Sequence, residues 1–233
     1  MPPRPSILVF DVNETLLDLR ALEPFFARVF GEARAMREWF AQAVLYSQTG
    51  TLAGRYVPFG ALGVGALRMV ADVHGVRLAD ADVEAFRAAA RSLPAHADAA
   101  PALDRLAAAG FRLVTLTNSS PEAQAEALEH AGLARHFERT FSVGAVGRFK
   151  PAPEVYRHVE DALGAAPADL ALVACHAWDT VGAQAAGWSG VFVARPGNAP
   201  LPIDGLPQPD IVATDLGAAA GQMIGRWRPT PAG

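Results

Sequence analysis

From about residue 101 onward, short apolar strands alternate with amphipathic helices, and this alternation limits the fold of the chain more than any other feature. Strands are predicted at residues 111–117, 139–143, 170–174, 190–194 and 210–213. Helices are predicted between them at residues 102–109, 121–130, 153–163 and 180–186, with a closing helix after 213. Such alternation predicts a parallel sheet that is covered by helices on both faces. The expected fold class is therefore α/β.

The segment between the first predicted strand, residues 6–10, and residue 96 has helical periodicity only. Apolar residues recur at intervals of three and four in stretches at 22–30, 36–47, 59–74 and 80–93. A block of helices inserted after a first strand is typical of a cap or lid. We expect a core formed by residues 1–16 and 97–233 and a helical cap formed by residues 17–96. The loop at 195–209 and the tail at 228–233 are expected at the surface.

The composition disfavours several classes of protein. The 233 residues are 51% hydrophobic and 19% charged, which suffices to bury a large core. A net charge of -4 disfavours a nucleic-acid partner, and no apolar run approaches the roughly 20 residues of a membrane span. The single cysteine, Cys175, excludes an internal disulfide and suits a reducing compartment. We expect a cytoplasmic protein with no nucleic-acid and no membrane partner.

Polar side chains follow the predicted strands at their carboxyl ends, where open α/β sheets place their chemistry. Asp11 follows the first strand, Thr117 and Asn118 follow the second, and Asp179 follows the strand at 170–174. Lys150 comes after a glycine-containing turn. A carboxylate in this position is a candidate nucleophile. An aspartate in this position, taken alone, is more often a cap or turn residue. The other polar residues at the strand ends favour a catalytic role for Asp11.

Four motifs follow one another along the chain: Phe10-Asp11-x-x-x-Thr15, Thr117-Asn118-Ser119, Lys150-Pro151 and Ala177-Trp178-Asp179. Their order and spacing resemble the haloacid dehalogenase superfamily, in particular its type II L-2-haloacid dehalogenase branch. Further matches to that branch are Tyr46, Arg55-Tyr56-Val57-x-Phe59 and Val155-Tyr156. The resemblance covers nearly the whole chain and implies a Rossmann-like core with an inserted helical cap. It also implies a cofactor-free hydrolase, often a homodimer, that acts on a short 2-substituted carboxylic acid.

The resemblance implies a covalent mechanism. Asp11 attacks the α-carbon of an (S)-2-haloacid, expels halide and becomes an ester that water then cleaves. Lys150 and Thr15 would hold the Asp11 carboxylate, and Asp179 would position or activate the water. Thr117 would bind the substrate carboxylate. The remaining predicted substrate-site residues are Val12, Asn13, Phe40, Phe59, Asn118, Tyr156, His176 and Trp178.

Structural roles remain open for several of these residues. Thr15 could serve only as a helix N-cap, and Trp178 and Phe59 are residue types that usually pack in a core. Tyr156 could donate to a carboxylate or support the lysine. Cys175 is expected to be an inert buried thiol. The other histidines are expected at the surface or in packing positions: His74, His96, His130, His136 and His158.

The chain departs from the branch pattern in three places. An arginine of the cap helix takes the departing halide in that branch, and an ungapped match places Phe40 there. Ala174 and His176 replace a serine and an asparagine, and the first loop has Val12-Asn13-Glu14 in place of an aromatic residue and a glycine. His176, if protonated, and Arg37 are candidates for supplying the lost positive charge.

Two alternatives to a dehalogenase follow. Phosphatases of the superfamily carry a second Asp two residues after the nucleophile and bind Mg²⁺, whereas this chain has Asn13, which cannot exchange a proton in that way. The few acids near Asp179 also disfavour a magnesium site, so metal independence is expected. The second alternative is a non-catalytic homologue that binds a carboxylate. Its main support is Phe40, which stands where the branch has the halide-binding arginine.

Overall fold

The computed structural model describes residues 4–227 of the chain. One parallel sheet has the order β3-β2-β1-β4-β5-β6. Its strands are β1 (Ile7–Phe10), β2 (Arg112–Thr117), β3 (Arg139–Ser142), β4 (Leu170–Ala174), β5 (Ser189–Val193) and β6 (Ile211–Ala213). The predicted α/β class and parallel sheet are confirmed. The tail predicted at 228–233 lies outside the described residues.

The described part of the chain has the following helices: α1 (Glu23–Phe30), α2 (Ala35–Leu52), α3 (Phe59–Val73), α4 (Asp80–Arg91), α5 (Ala99–Ala108), α6 (Pro121–His130), α7 (Pro153–Leu163), α8 (Ala177–Ala185) and α9 (Leu216–Trp227). Three of them differ from the predicted bounds by three residues or more. Helix α2 runs to Leu52 rather than 47, and in this added turn the hydroxyls of Thr49 and Thr51 donate to the carbonyls of Leu45 and Ser47. Helices α5 and α8 begin at Ala99 and Ala177 rather than at 102 and 180. None of these helices combines the length and apolar character needed to cross a membrane.

Both faces of the sheet are buried. Along β1, Leu8 and Phe10 enter one apolar cluster, while Ile7 and Val9 enter a second cluster on the opposite face. Neighbouring residues of a strand point to opposite faces, so a strand that is covered on both sides is apolar at every position. This explains why β1 and β4 lack polar residues.

Helices α1–α4 lie in sequence between β1 and α5, and two short segments connect them to the sheet. These segments pair with each other: the Asp18 N–H donates to the Pro94 carbonyl at 2.8 Å, and the His96 N–H donates to the Leu16 carbonyl at 2.9 Å. The first apolar cluster continues from the sheet into α1–α4 and includes Phe26. A cap bounded at 17–96 is consistent with this pairing and stays our proposal.

The topology places a crevice beside β1. The chain adds β2 and β3 on one side of β1 and then crosses to add β4 on the other side. Strand order therefore reverses between β1 and β4, and ligands of open α/β sheets bind at the carboxyl ends of strands at such a switch point. Asp11 follows β1 directly, and His176 follows β4 by two residues.

Candidate active site

The predicted strand-end residues Asp11, Lys150 and Asp179 meet at this edge of the sheet. Lys150 Nζ lies 2.8 Å from Asp11 Oδ1, 2.6 Å from Asp179 Oδ2 and 3.0 Å from the Leu116 carbonyl oxygen. Three acceptors use the three donors of the ammonium group. Lys150 and Asp179 are wholly buried and Asp11 is 4% exposed. The ammonium charge therefore acts in a water-poor environment between two carboxylates.

Charge pairing sets the ionisation states of Asp11, Lys150 and Asp179. Burial by itself would raise the pKa of Asp11, but the charges and hydrogen bonds of Lys150 and His176 outweigh burial and hold that pKa well below its usual range. Burial would lower the pKa of Lys150, yet the two carboxylates raise it. Burial, together with repulsion from Asp11, raises the pKa of Asp179 despite the lysine. Asp11 is the firmly anionic member, as a nucleophile requires.

Thr15 orients the second oxygen of Asp11. Its hydroxyl donates to Asp11 Oδ2 at 2.7 Å and accepts the Cys175 N–H at 3.0 Å. The Thr15 carbonyl in turn accepts two bonds, of 3.0 and 2.9 Å, from the buried guanidinium of Arg195. The hydroxyl therefore contacts the predicted nucleophile, and its role is not that of an N-cap. Sequence reasoning missed Arg195, whose segment was expected to be a surface loop.

His176 contacts Asp11 from the other side. Its Nδ1 lies 3.1 Å from Asp11 Oδ2, and its Nε2 lies 2.9 Å from Glu14 Oε2. Carboxylates only accept hydrogen bonds, so both ring nitrogens donate and the ring is an imidazolium. Burial would lower the pKa of His176, but the Cys175 sulfur and the bonds to Asp11 and Glu14 raise it well above 6.5. We attribute the rise to the two carboxylates, whose oxygens lie 3.1 and 2.9 Å from the ring nitrogens.

Glu14 is a site residue that sequence reasoning did not select. It is 3% exposed, and its backbone φ of 65° lies in the left-handed region that is rare for residues other than glycine. Burial would raise its pKa, but His176 and Arg37 lower it. Arg37 Nη1 pairs with Glu14 Oε1, and the Glu14 carbonyl lies 2.9 Å from His96 Nε2. The sequence did contain a signal for this contact. Glu14 and His176 both depart from the branch pattern, which has a glycine and an asparagine at these positions.

A cavity of about 440 Å³ opens beside His176. Phe40 and Trp178 line it and flank the imidazole: the Trp178 ring stacks at 5.0 Å between centroids and the Phe40 ring lies at 5.5 Å. Arg37, Gly197 and Asn198 form part of its wall. Phe40, Trp178 and His176 therefore lie where a bound ligand would contact them. Arg37, a candidate from the sequence for the lost positive charge, lines the same cavity.

The other predicted substrate residues have partners within the protein. Thr117 Oγ1 accepts the Ser119 N–H at 3.2 Å, Asn118 Oδ1 accepts the Lys150 N–H at 3.1 Å, and Asn13 Nδ2 donates to Ser119 Oγ at 3.1 Å. These contacts fix the loops after β1 and β2 around Lys150. Val12 is buried, and its carbonyl accepts the N–H groups of residues 16 and 17.

Tyr156 and Phe59 lie outside the cavity. The Tyr156 hydroxyl donates to Asp179 Oδ1 at 2.8 Å, and its ring is wholly buried in the second apolar cluster. Burial raises the pKa of Tyr156 well above 10, so the hydroxyl keeps its proton. The Phe59 ring packs 6.0 Å from that of Phe149, next to Lys150 in sequence. Both placements correspond to the supporting roles that the sequence left open.

One group of three candidate metal ligands occurs among residues 4–227: atoms of Asp11, Cys175 and His176 lie within 4.8 Å of one another. Sulfur and imidazole suit zinc-type ions, whereas Mg²⁺ prefers oxygen ligands. Both His176 nitrogens already face carboxylates, and Lys150 supplies the positive charge between Asp11 and Asp179. These residues do not fit the magnesium site of a superfamily phosphatase.

Comparison with known proteins agrees with this geometry. Residues 5–187 match the family model of haloacid dehalogenase-like hydrolases. An (S)-2-haloacid dehalogenase of Pseudomonas sp. (strain CBS-3) is 33% identical, with 80% of this chain and 83% of that protein covered. A phosphoserine phosphatase of Thermus thermophilus is also 33% identical, with 91% and 96% covered.

Among solved structures, the L-2-haloacid dehalogenase of Xanthobacter autotrophicus with chloropropionic acid covalently bound superposes with a TM-score of 0.86. It is 26% identical, and the match covers 95% of this chain and 99% of that one. The four motifs, the sheet order and these matches lead to the same assignment. The chain belongs to the haloacid dehalogenase-like hydrolase family, in its type II L-2-haloacid dehalogenase branch.

Proposed function

We propose that the protein hydrolyses the carbon–halogen bond of a short (S)-2-haloacid through an ester on Asp11. The observation that carries the proposal is the state of Asp11, a buried carboxylate kept anionic by Lys150 and aimed by the Thr15 hydroxyl. An anionic oxygen held by fixed donors is an activated nucleophile. It attacks the α-carbon, halide leaves with the bonding electrons, and water then cleaves the ester at the Asp11 carbonyl.

Two other features support a 2-haloacid as substrate. The cavity wall offers the apolar rings of Phe40 and Trp178 for the carbon skeleton and the guanidinium of Arg37 for a carboxylate. The relative from Pseudomonas sp. (strain CBS-3), which matches 80% of this chain, is an (S)-2-haloacid dehalogenase.

A dimeric state and a cytoplasmic location remain predictions. Light scattering on the purified protein tests the dimeric state.

A phosphatase is the second candidate, because a phosphoserine phosphatase matches 91% of the chain at equal identity. Two contacts oppose it. Asn13, at the position of the phosphatase acid, is engaged with Ser119, and its amide cannot protonate a leaving group. Lys150 Nζ lies 2.8 Å from Asp11 Oδ1 and 2.6 Å from Asp179 Oδ2, so an ammonium group already fills the space between these two acids.

The test measures halide release and phosphate release side by side. Native protein is supplied with (S)-2-chloropropionate, (R)-2-chloropropionate and phosphoserine, each with chelator and with added Mg²⁺. We expect halide release from the (S)-acid alone, at a rate that chelator does not change and that Asp11→Asn abolishes. Phosphate release that exceeds halide release, or a strict Mg²⁺ requirement, would favour the phosphatase. If the native protein releases neither halide nor phosphate, the carboxylate-binding homologue is favoured.

A further inference from the structure

The proposed displacement of halide requires no proton transfer by the pair formed by Glu14 and His176. Glu14 is a buried acid on a left-handed backbone, a conformation that is strained outside glycine and clusters at functional sites. Its carboxylate holds Nε2 of a histidine whose Nδ1 contacts the nucleophile. A carboxylate that orients a histidine toward a reacting carboxyl group is the arrangement of a general acid–base pair.

The position of His176 decides which chemical step it can serve. Its Nδ1 is within hydrogen-bond distance of Asp11 Oδ2 itself, so the ring lies beside the attacking group. A displacement at carbon sends the halide away on the side opposite the nucleophile. His176 is therefore badly placed to receive halide. It is well placed to act at the Asp11 carboxyl group when that group is an ester.

The surroundings of the ring can supply water. His176 lines the cavity, and its Nδ1 lies 3.1 Å from Asp11 Oδ2, so one ring contacts both the open volume and the nucleophile. Water that enters the cavity therefore reaches a ring that lies beside Asp11. The rings of Phe40 and Trp178 pack against the imidazole, which limits its rotation.

Charged and titratable groups around the ring come from several parts of the fold. Asp11, Glu14 and Cys175 contact it directly. Lys150 lies behind Asp11, and Arg37 pairs with Glu14 at the rim of the cavity. Alkylation of Asp11 removes one of the two carboxylate charges that stabilise the imidazolium. The proton of Nδ1 is then released, and the other nitrogen stays bonded to Glu14.

We propose that His176, positioned by Glu14, is the general base that hydrolyses the Asp11 ester. The inference rests on the proposed function, since the ester is the intermediate of that reaction. Asp179, which the sequence assigned to the water, is engaged by Lys150 and Tyr156. Glu14 acts through His176 and is a positioning residue.

The proposed steps balance. Displacement forms the bond between Asp11 oxygen and the α-carbon, breaks the carbon–halogen bond and releases halide, and His176 loses its Nδ1 proton to solvent. Neutral His176 takes a proton from water, and the resulting hydroxide attacks the Asp11 carbonyl carbon. The tetrahedral intermediate expels the substrate oxygen, which His176 protonates to give the 2-hydroxyacid. The new Asp11 carboxyl proton then passes to His176 and restores the resting pair.

The experiment compares native protein with His176→Asn in rapid mixing with (S)-2-chloropropionate. A general base contributes roughly 10²- to 10⁴-fold, so we expect steady-state kcat to fall by about that factor. Halide release should keep a burst of one equivalent per active site. Mass spectrometry should find the ester on the peptide that contains Asp11. His136→Asn is the matched control. His136 comes before the amino end of β3, whereas the site lies at the carboxyl ends of the strands.

Glu14→Gln provides a readout that a merely structural role would not change. The variant keeps the size and backbone of the side chain but removes a negative charge from Nε2. We expect the pKa of His176, followed by NMR of its ring proton in the resting enzyme, to fall, and the ester to accumulate as in His176→Asn. An unchanged His176 pKa in the folded variant would overturn the positioning role.

The outcomes distinguish failure of the general-base role of His176 from failure of the proposed dehalogenase function. A folded His176→Asn variant with native kcat, or one that loses the halide burst while the native protein turns over, overturns the inference and leaves the dehalogenase intact. No halide from the native protein overturns both. A burst followed by a trapped ester supports both.

Discussion

Replacing Lys150 with methionine tests whether one buried ammonium group sustains the anionic site. The substitution keeps the volume and apolar stem of the side chain and removes the charge between Asp11 and Asp179. Removal of one partner of a buried ion pair costs about 3–5 kcal/mol because the remaining charge is left uncompensated. A domain of this size loses about 2–4 °C of midpoint per kcal/mol, so we expect the thermal midpoint to drop by about 6–20 °C.

The pH dependence of this loss is diagnostic. Without Lys150, burial and mutual repulsion raise the pKa of the acid pair above the unfolded values, and Asp179, whose remaining partner is Tyr156, takes up the proton. A folded-state pKa that is raised stabilises the protein below it. Urea unfolding of Lys150→Met should therefore show stability that rises more steeply as pH falls from 8 to 5 than that of the native protein, in which the raised pKa values of Asp179 and His176 already give some rise. Halide release should be lost.

Arg112→Met is the matched control, because the Arg112–Glu138 pair lies at the surface, with side chains 47% and 39% exposed. Such pairs contribute about 0–1 kcal/mol. If Lys150→Met unfolds within about 1 kcal/mol of the native protein at pH 8, with the native pH trend, the ammonium group does not hold the two carboxylates as the structure indicates.

Three further predictions concern the surroundings of Asp11. Tyr156→Phe leaves a buried Asp179 oxygen without its donor, and urea unfolding should show a loss of about 1–3 kcal/mol; an unchanged midpoint would contradict it. The folded pKa of Glu14 is lowered, so its stabilisation is complete above its usual value of 4.5 and is lost as pH falls through the lowered folded value. Glu14→Gln should therefore show a shallower acid loss in unfolding experiments between pH 6 and 3, and equal slopes would count against the pair. Phe40→Arg puts a second cation beside the protonated His176 ring, so NMR should find a lower His176 pKa; a faster halide release instead would show that a cation is missing at position 40.

The sheet and the meeting of Asp11, Lys150 and Asp179 could be predicted because both follow from local patterns. Buried parallel strands are apolar throughout, and their carboxyl ends meet at one edge whatever the loop sequences. The order of polar residues after the strands was therefore sufficient to place these three side chains together. The Thr15 hydroxyl bond to Asp11 follows from the same tight turn.

The partners of Glu14 could not be predicted from the sequence. Its contact with His176 joins residues 162 positions apart, and it depends on the register of β1 beside β4 and on a left-handed backbone at a residue that is not glycine. The burial of Tyr156 behind Asp179 likewise depends on how α7 packs against the sheet. The sequence allowed the Tyr156 hydroxyl to donate to a carboxylate but did not show that this carboxylate belongs to Asp179.

Isotope transfer to Asp11 tests the central claim most directly. The protein in excess is mixed with (S)-2-chloropropionate in water labelled with ¹⁸O for a single turnover, and the peptide that contains Asp11 is weighed by mass spectrometry. Water attacks the Asp11 carbonyl in the proposed mechanism, so the label must appear in the Asp11 carboxylate and not in the first product molecule. Label in the product alone would show that water attacks the substrate directly and that Asp11 forms no ester.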